Sequence, residues 1–246
     1  MVLEDKKMIF IHIPRTGGTS IEKFFEFKGT DFGNPETAQH HTLKEYKKNY
    51  NIKKYFTFTF VRNPWDRLVS WYIWTQAESA FYTYLESVSR PWFSRTYINW
   101  HYGRELLQDS SQKIFNKKFF FKFKDGFSEF IHNLKYKCLS PNERFNNCNL
   151  PDNRLNGRWI MPQVKWLKDG RGKINLSYIG KFENYKLDFK NILNKKNIPY
   201  KKIPLAANIC RKPHYAKFYT KESAEIVSQV YKEDWENFNY DFDYEL

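Results

Sequence analysis

The sequence predicts an α/β fold of three layers, a mostly parallel central sheet with helices on both faces. Three observations lead there. Apolar, β-branched or aromatic runs of strand length recur at Met8–Ile13, Tyr55–Val61 and Ile174–Phe182. The first two each end in a polar loop that opens onto residues with helical apolar spacing. Strands that alternate with helices need crossover connections, which make the strands parallel and cover both sheet faces.

Taken in order, Met8–Ile13 (MIFIHI) runs into Pro14 and the pair Gly17-Gly18, and Ile21, Phe24 and Phe25 then follow at helical spacing. The first unit is therefore strand, tight loop, helix. Leu43–Tyr50 reads as a short basic helix capped by Thr42. Tyr55–Val61 (YFTFTFV) ends at Arg62-Asn63-Pro64, where Asn63 suits an N-cap and Pro64 the first helical turn. Trp65, Leu68, Val69, Tyr72 and Ile73 make a clear helical stripe beyond it. The aromatic-rich stretch from Ala80 to Asn116 has no single period. Gly126–Leu134 fits a short helix, and Lys137–Gly157, with Pro, Asn and Gly throughout, fits a long loop. Ile174–Phe182 is the third strand, with a helix opening near Glu183. Thr220 caps a final amphipathic helix to about Phe238, with Ala224, Val227, Val230 and Tyr231 on one face.

No Ser/Gly/Pro-rich linker and no internal repeat divides the 246 residues, so one domain over 1–246 is expected, with a loop-rich insertion at about 80–160. Hydrophobic residues are 41% and aromatics 20%, which excludes a disordered chain. The formal net charge of +14 favours an anionic ligand, although Lys is abundant together with Asn, Phe, Tyr and Ile, and a biased composition explains the charge as well. Cys138, Cys148 and Cys210 form no CxxC pair; a Cys138–Cys148 bridge is open to them, and a reduced interior is the default. The N-terminal apolar stretch is too short for a signal sequence, and no segment reaches membrane-spanning length, so a soluble cytoplasmic protein is expected.

The chemistry sits in the loops that follow the first two strands. In Pro14-Arg15-Thr16-Gly17-Gly18-Thr19-Ser20 two glycines let backbone amides close round an anion, while Thr16, Thr19 and Ser20 add hydroxyls and Arg15 a fixed charge. A GxxxxGK[ST] pattern is absent, so this is not the loop that holds a nucleotide through Lys and Mg²⁺. The second loop again places a basic residue, Arg62, after a strand, where ligands of open α/β sheets collect. Arg62 can give a phosphate two parallel hydrogen bonds. Ser70 lies two turns along the helix from Asn63 and can face the same ligand. Asp66 suits the positive end of that helix, and Arg67 reads as a surface ion-pair partner.

At this point IFIHIPRTGGTSIE resembles the 5'-phosphosulfate loop of sulfotransferases that use 3'-phosphoadenosine 5'-phosphosulfate (PAPS), and FTFVRNPWDRLVSWY resembles their 3'-phosphate motif. The pairing is closest to the carbohydrate branch that holds heparan sulfate 2-O-sulfotransferase and its bacterial and viral relatives. QHHTLKEYKKNY, YIGKFENYKLDF and IVSQVYKEDWENFNYDF resemble further segments of that family. The resemblance implies a P-loop-like form of the predicted fold and PAPS as sulfuryl donor. It implies that Arg15, Thr16, Gly17, Gly18, Thr19 and Ser20 hold the 5'-phosphosulfate and Arg62 and Ser70 the 3'-phosphate. Arg15 stands where the family usually has Lys, keeping the charge in a wider planar fork. Arg211-Lys212 resembles a basic loop that closes over the nucleotide.

His40 and His41 precede Thr42-Leu43-Lys44-Glu45, which resembles the segment carrying the family's catalytic base; His40 aligns better than His41. His12, inside the first strand, reads as a core histidine. The implied reaction is in-line displacement at sulfur by an acceptor hydroxyl, which the likeness alone implies to be that of a glycan, with no metal because no acidic set accompanies the loops. A small-molecule kinase with a P-loop-like fold is the nearest rival, and a basic nucleic-acid-binding module a more distant one. Both are disfavoured, the first by the missing Walker Lys and the second by the absence of any recognised binding motif.

Overall fold

The computed structural model describes residues 1–27, 40–74, 126–134, 159–203 and 213–243. Among them four strands form one sheet in the spatial order β1 (Val2–Leu3), β2 (Met8–Ile11), β3 (Phe56–Val61) and β4 (Tyr178–Lys181). β1 is antiparallel to β2, while β2, β3 and β4 are parallel, with Ile9 opposite Thr57 and Phe60 opposite Gly180. β2 is buried throughout and β3 nearly so, as expected of parallel strands covered on both faces. Buried Thr59 keeps its hydroxyl satisfied by donating to the Ile11 carbonyl at 2.8 Å.

Alternate residues of β2 feed two cores, which makes the three layers visible residue by residue. Met8 and Phe10, with Phe58 and Phe60 of β3, pack under α1 (Gly18–Phe24) and a later helix, Tyr185–Lys195, through Ile21, Tyr185, Phe189 and Ile192. Ile9 and Ile11 face the other way. They meet Leu43 and Tyr46 of α2 (Leu43–Asn49), and Val164, Trp166 and Leu167 of the helix Gln163–Leu167. A third core joins the helices over 64–74 (α3) and 126–134 (α4) to Phe218, Tyr219, Ala224 and Val227. In chain order the remaining helices are α5 (Gln163–Leu167), α6 (Tyr185–Lys195), α7 (Lys221–Val230) and α8 (Lys232–Phe238).

The expected caps are present. The Thr42 hydroxyl accepts from the Glu45 amide at 3.3 Å while the Glu45 carboxylate accepts from the Thr42 amide, closing a capping box. Asn63 Oδ1 accepts from the amides of Trp65 and Asp66 at 3.0 and 3.3 Å and so opens α3.

Three elements differ from the sequence reading. The third strand is shorter: Ile174 pairs antiparallel with Lys168 across the Asp169–Lys173 turn, where Asp169 accepts from the Arg171 and Lys173 amides, and the strand begins only at Tyr178. The last helix is two helices, interrupted at Tyr231, which turns the buried Asp234 of α8 toward the start of α5. α5 itself follows Pro162 and spans only five residues, too few for a periodicity to show. The stretches Ala80–Asn116 and Lys137–Gly157, the three cysteines and His101 lie outside the described residues.

One glycine of the first loop is set by contact rather than by backbone angle. A Cβ on Gly18 would sit 2.1 Å from His12 Cδ2 and 2.2 Å from Nε2, and the ring cannot retreat because His12 Nδ1 is held 2.7 Å from Glu22 Oε1. Gly18→Ala should therefore destabilise the protein by roughly 1–3 kcal/mol or more, as overpacking does. At about 2–4 °C per kcal/mol for a chain of this size, thermal denaturation should show the loss, and an unchanged midpoint would contradict the packing described.

Candidate functional site

β2, β3 and β4 are parallel, so the loops after Ile11, Val61 and Lys181 open at one edge of the sheet. In the first loop Arg15 and Gly17 both take left-handed backbone angles, with φ of 69° and 87°. Gly17 accepts this freely, whereas a non-glycine residue there stores strain. The Arg15 carbonyl, fixed by a 2.9 Å hydrogen bond from Arg62 Nη1, holds that conformation in place. Thr16, Gly18 and Ser20 are buried, and Arg15, Gly17 and Thr19 are partly exposed. The Thr16 hydroxyl donates to the Ile13 carbonyl at 2.8 Å, which leaves its amide as the group Thr16 can offer a ligand.

The two loops are bound to each other by side chains. Arg15 donates to Ser70 Oγ from Nε and Nη2, at 3.3 and 3.1 Å, and its guanidinium lies over the Trp74 ring. Arg62, 7% exposed, donates from Nε to Asp66 at 2.7 Å and rests 4.1 Å from the Phe182 ring centre. Phe182 also packs on Gly17, so one ring touches both loops. Arg15, Arg62 and Ser70 line a single cavity of about 560 Å³ together with Asn63, Glu183 and Tyr215. Three sequence-predicted residues separated by up to 55 positions thus face one space.

The backbone that carries Arg62 is clamped. Gln163, fully buried, accepts from the Arg62 amide at 2.9 Å and donates to its carbonyl at 2.8 Å. Asp234 in turn accepts from the amides of Gln163 and Val164 at 2.8 and 2.9 Å. Burial pushes the Asp234 carboxyl above its ordinary value, opposed by the charge of Arg67. Arg67 is buried too, contrary to the expected surface pair, and donates to the carbonyls of Trp159 and Met161. Glu183 accepts from the Asn63 amide at 2.8 Å and from the Tyr240 hydroxyl at 2.7 Å. Burial first, and then the Glu183 carboxylate, push the Tyr240 phenol far up, so it stays a donor. Glu183 thus ties β3 to the C-terminal segment, a larger role than the helix-dipole contact its position in the sequence implies.

His40 Nδ1 lies 2.9 Å from the His12 carbonyl, an oxygen that can only accept. The proton of a neutral His40 ring is therefore on Nδ1, and Nε2 is the basic nitrogen. The ring packs against His12 at 4.2 Å and edge-on against Trp159 at 4.5 Å. Trp159 stacks on Trp74, so Arg15 and His40 stand at either end of one tryptophan pair. His41 is buried, with Nδ1 4.0 Å from Glu45 and its ring edge-on to Tyr46. His12 is a core histidine, as its strand position predicts. Arg211 and Lys212 lie outside the described residues; Pro213 and His214, which follow them, line the cavity.

A family model described as the sulfotransferase family matches residues 1–241. The chain is a member of the sulfotransferase family. No curated protein and no solved structure matches it. Membership gives this sulfotransferase a general activity, transfer of a sulfuryl group, and fits the mostly parallel sheet with helices. Among the described residues of the sulfotransferase, no helix is long and apolar enough to cross a membrane, and no group of three or more His, Cys, Asp or Glu is placed to hold a metal.

Proposed function

We propose that this sulfotransferase uses PAPS as donor and sulfates a hydroxyl of a carbohydrate, within a single domain over 1–246. The observation that carries the reading is the joining of the two loops through Arg15, Ser70 and Arg62 around one cavity. A nucleotide with phosphates at both 5' and 3' positions needs two separate cationic sites a ribose apart, and each loop supplies one. The first loop, Arg15 to Ser20, takes the 5'-phosphosulfate through backbone amides and Arg15. Arg62 and Ser70 take the 3'-phosphate, and Arg211 and Lys212, outside the described residues, are further nucleotide ligands by the family resemblance.

His40 Nε2 accepts the acceptor's hydroxyl proton as its oxygen bonds to sulfur. The sulfur–oxygen bond to the 5'-phosphate breaks, and adenosine 3',5'-bisphosphate leaves with its new negative charge facing Arg15. Every electron pair is accounted for without a metal. Trp159, partly exposed beside His40, supports a sugar as acceptor because an accessible indole can meet the flat apolar C–H face of a pyranose.

Nucleotide selectivity tests the reading. A charge-assisted hydrogen bond contributes about 1.5–3 kcal/mol, and 1.4 kcal/mol is a factor of ten. The native protein should therefore bind adenosine 3',5'-bisphosphate at least about tenfold more tightly than AMP. Arg62→Ala should erase most of that preference, with a smaller loss of AMP affinity because Arg62 Nη1 also holds the Arg15 carbonyl of the first loop; Ser70→Ala should lower the preference more weakly. Calorimetric titration of both nucleotides decides it, and equal native affinities would remove the PAPS assignment.

A further inference from the structure

Three elements fix the Arg62 guanidinium. Nε donates to Asp66 one helical turn along α3, Nη1 donates to the Arg15 carbonyl of the first loop, and the Phe182 ring beyond β4 covers one face. Among the described residues Nη2 has no hydrogen-bond partner, and Arg62 lines the cavity. The Arg62 and Asp66 side chains are 8% and 16% exposed, so the pair is not the solvent-screened surface contact that contributes little.

An arginine can meet a phosphate side-on, through Nε and Nη2, or end-on, through Nη1 and Nη2. With Nε taken, the side-on pair is closed; Nη1 carries a second N–H beside the one given to the Arg15 carbonyl, so the end-on pair remains. A guanidinium free to rotate would lose that freedom on binding, and one already held loses little.

We propose that Asp66 is a positioning residue for the nucleotide: by holding Nε it turns the Nη edge of Arg62 into the cavity before the ligand arrives. This rests on the reading of Arg62 as the 3'-phosphate ligand. Two effects of Asp66 oppose each other. Its negative charge repels an incoming phosphate, while its hydrogen bond keeps the arginine in register. Register dominates, because the carboxylate is hydrogen-bonded at Nε and leaves Nη2 free to donate, whereas an unheld arginine loses the bidentate geometry altogether.

Calorimetric titration with adenosine 3',5'-bisphosphate and AMP separates the possibilities. Asp66→Ala should reduce the preference for the bisphosphate by roughly three- to tenfold, with AMP affinity showing that the first loop is still formed. Asp66→Asn keeps an acceptor oxygen for Nε and should retain more of the preference than Asp66→Ala, which a merely structural role would not require. It also covers the case in which Asp66→Ala does not fold. A native preference that Asp66→Ala leaves intact overturns the proposal alone, as does tighter bisphosphate binding in that variant or an equal loss in Asp66→Asn. No preference in the native protein overturns the reading of Arg62, and this proposal with it.

Discussion

His40→Ala should lose about 10²–10⁴-fold in turnover, the usual contribution of a positioned general base, while binding adenosine 3',5'-bisphosphate as the native protein does. The reason is the tautomer. A backbone carbonyl cannot donate, so the 2.9 Å contact of Nδ1 with the His12 oxygen fixes the proton there and makes Nε2 the basic atom. The His12 carbonyl sits at the end of β2, just before the first loop, so the same strand that presents Arg15 also orients His40. His41 lacks that arrangement: it is buried against Tyr46 and near the carboxylate that caps α2. His41→Ala should therefore lower thermal stability more than turnover. Steady-state rates with PAPS and a sulfated-glycan precursor, beside calorimetry, separate the two. Native-like turnover in His40→Ala with collapse in His41→Ala would move the base by one residue.

What the sequence reveals and what it conceals follow from how far apart in the chain the partners lie. The loop Arg15–Ser20, the Asn63 cap and the Thr42–Glu45 capping box are local, and residue type with spacing is enough to find them. Glu183, Gln163 and Asp234 are different. Glu183 reaches Asn63 across 120 positions, Gln163 reaches Arg62 across 101, and Asp234 reaches Gln163 across 71. Nothing near any of them announces a partner. Arg67 shows why such residues are misread: its partners are the carbonyls of Trp159 and Met161, and every residue carries a carbonyl, so no residue type marks them. A charged side chain two places beyond a helix's first residues then looks like an exposed one. Phe182 had a visible signal, its place in YIGKFENYKLDF, but its contact with both Gly17 and Arg62 emerges only when parallel strands bring three loop ends together. Thr220 marks a helix start correctly, yet the break at Tyr231 is invisible because Tyr is an acceptable helix residue and the interruption serves the distant Asp234 contact.

Arg15→Ala should nearly abolish transfer, and Arg15→Lys should keep part of it. As the donor's sulfur–oxygen bond breaks, negative charge grows on the 5'-phosphate, and a fixed donor aimed at developing charge is typically responsible for about 10²–10³-fold in rate. Ala removes both the charge and the two hydrogen bonds to Ser70. Lys restores the charge but has a single nitrogen where Arg15 has a planar fork, so it cannot both bind Ser70 as now and meet the phosphate with the same geometry. The intermediate rate of Arg15→Lys follows from that division of labour, and the loss should appear mainly in kcat because the charge develops in the transition state. Backbone strain does not confound the comparison. Arg, Lys and Ala all carry a Cβ and meet the same cost at a φ of 69°. Turnover numbers for the three proteins under saturating PAPS are the measurement. Equal values would take Arg15 out of the reaction and leave its guanidinium as a strut between the loops; a rate in Arg15→Lys as low as that in Arg15→Ala would show that the fork, rather than the charge, is what the reaction needs.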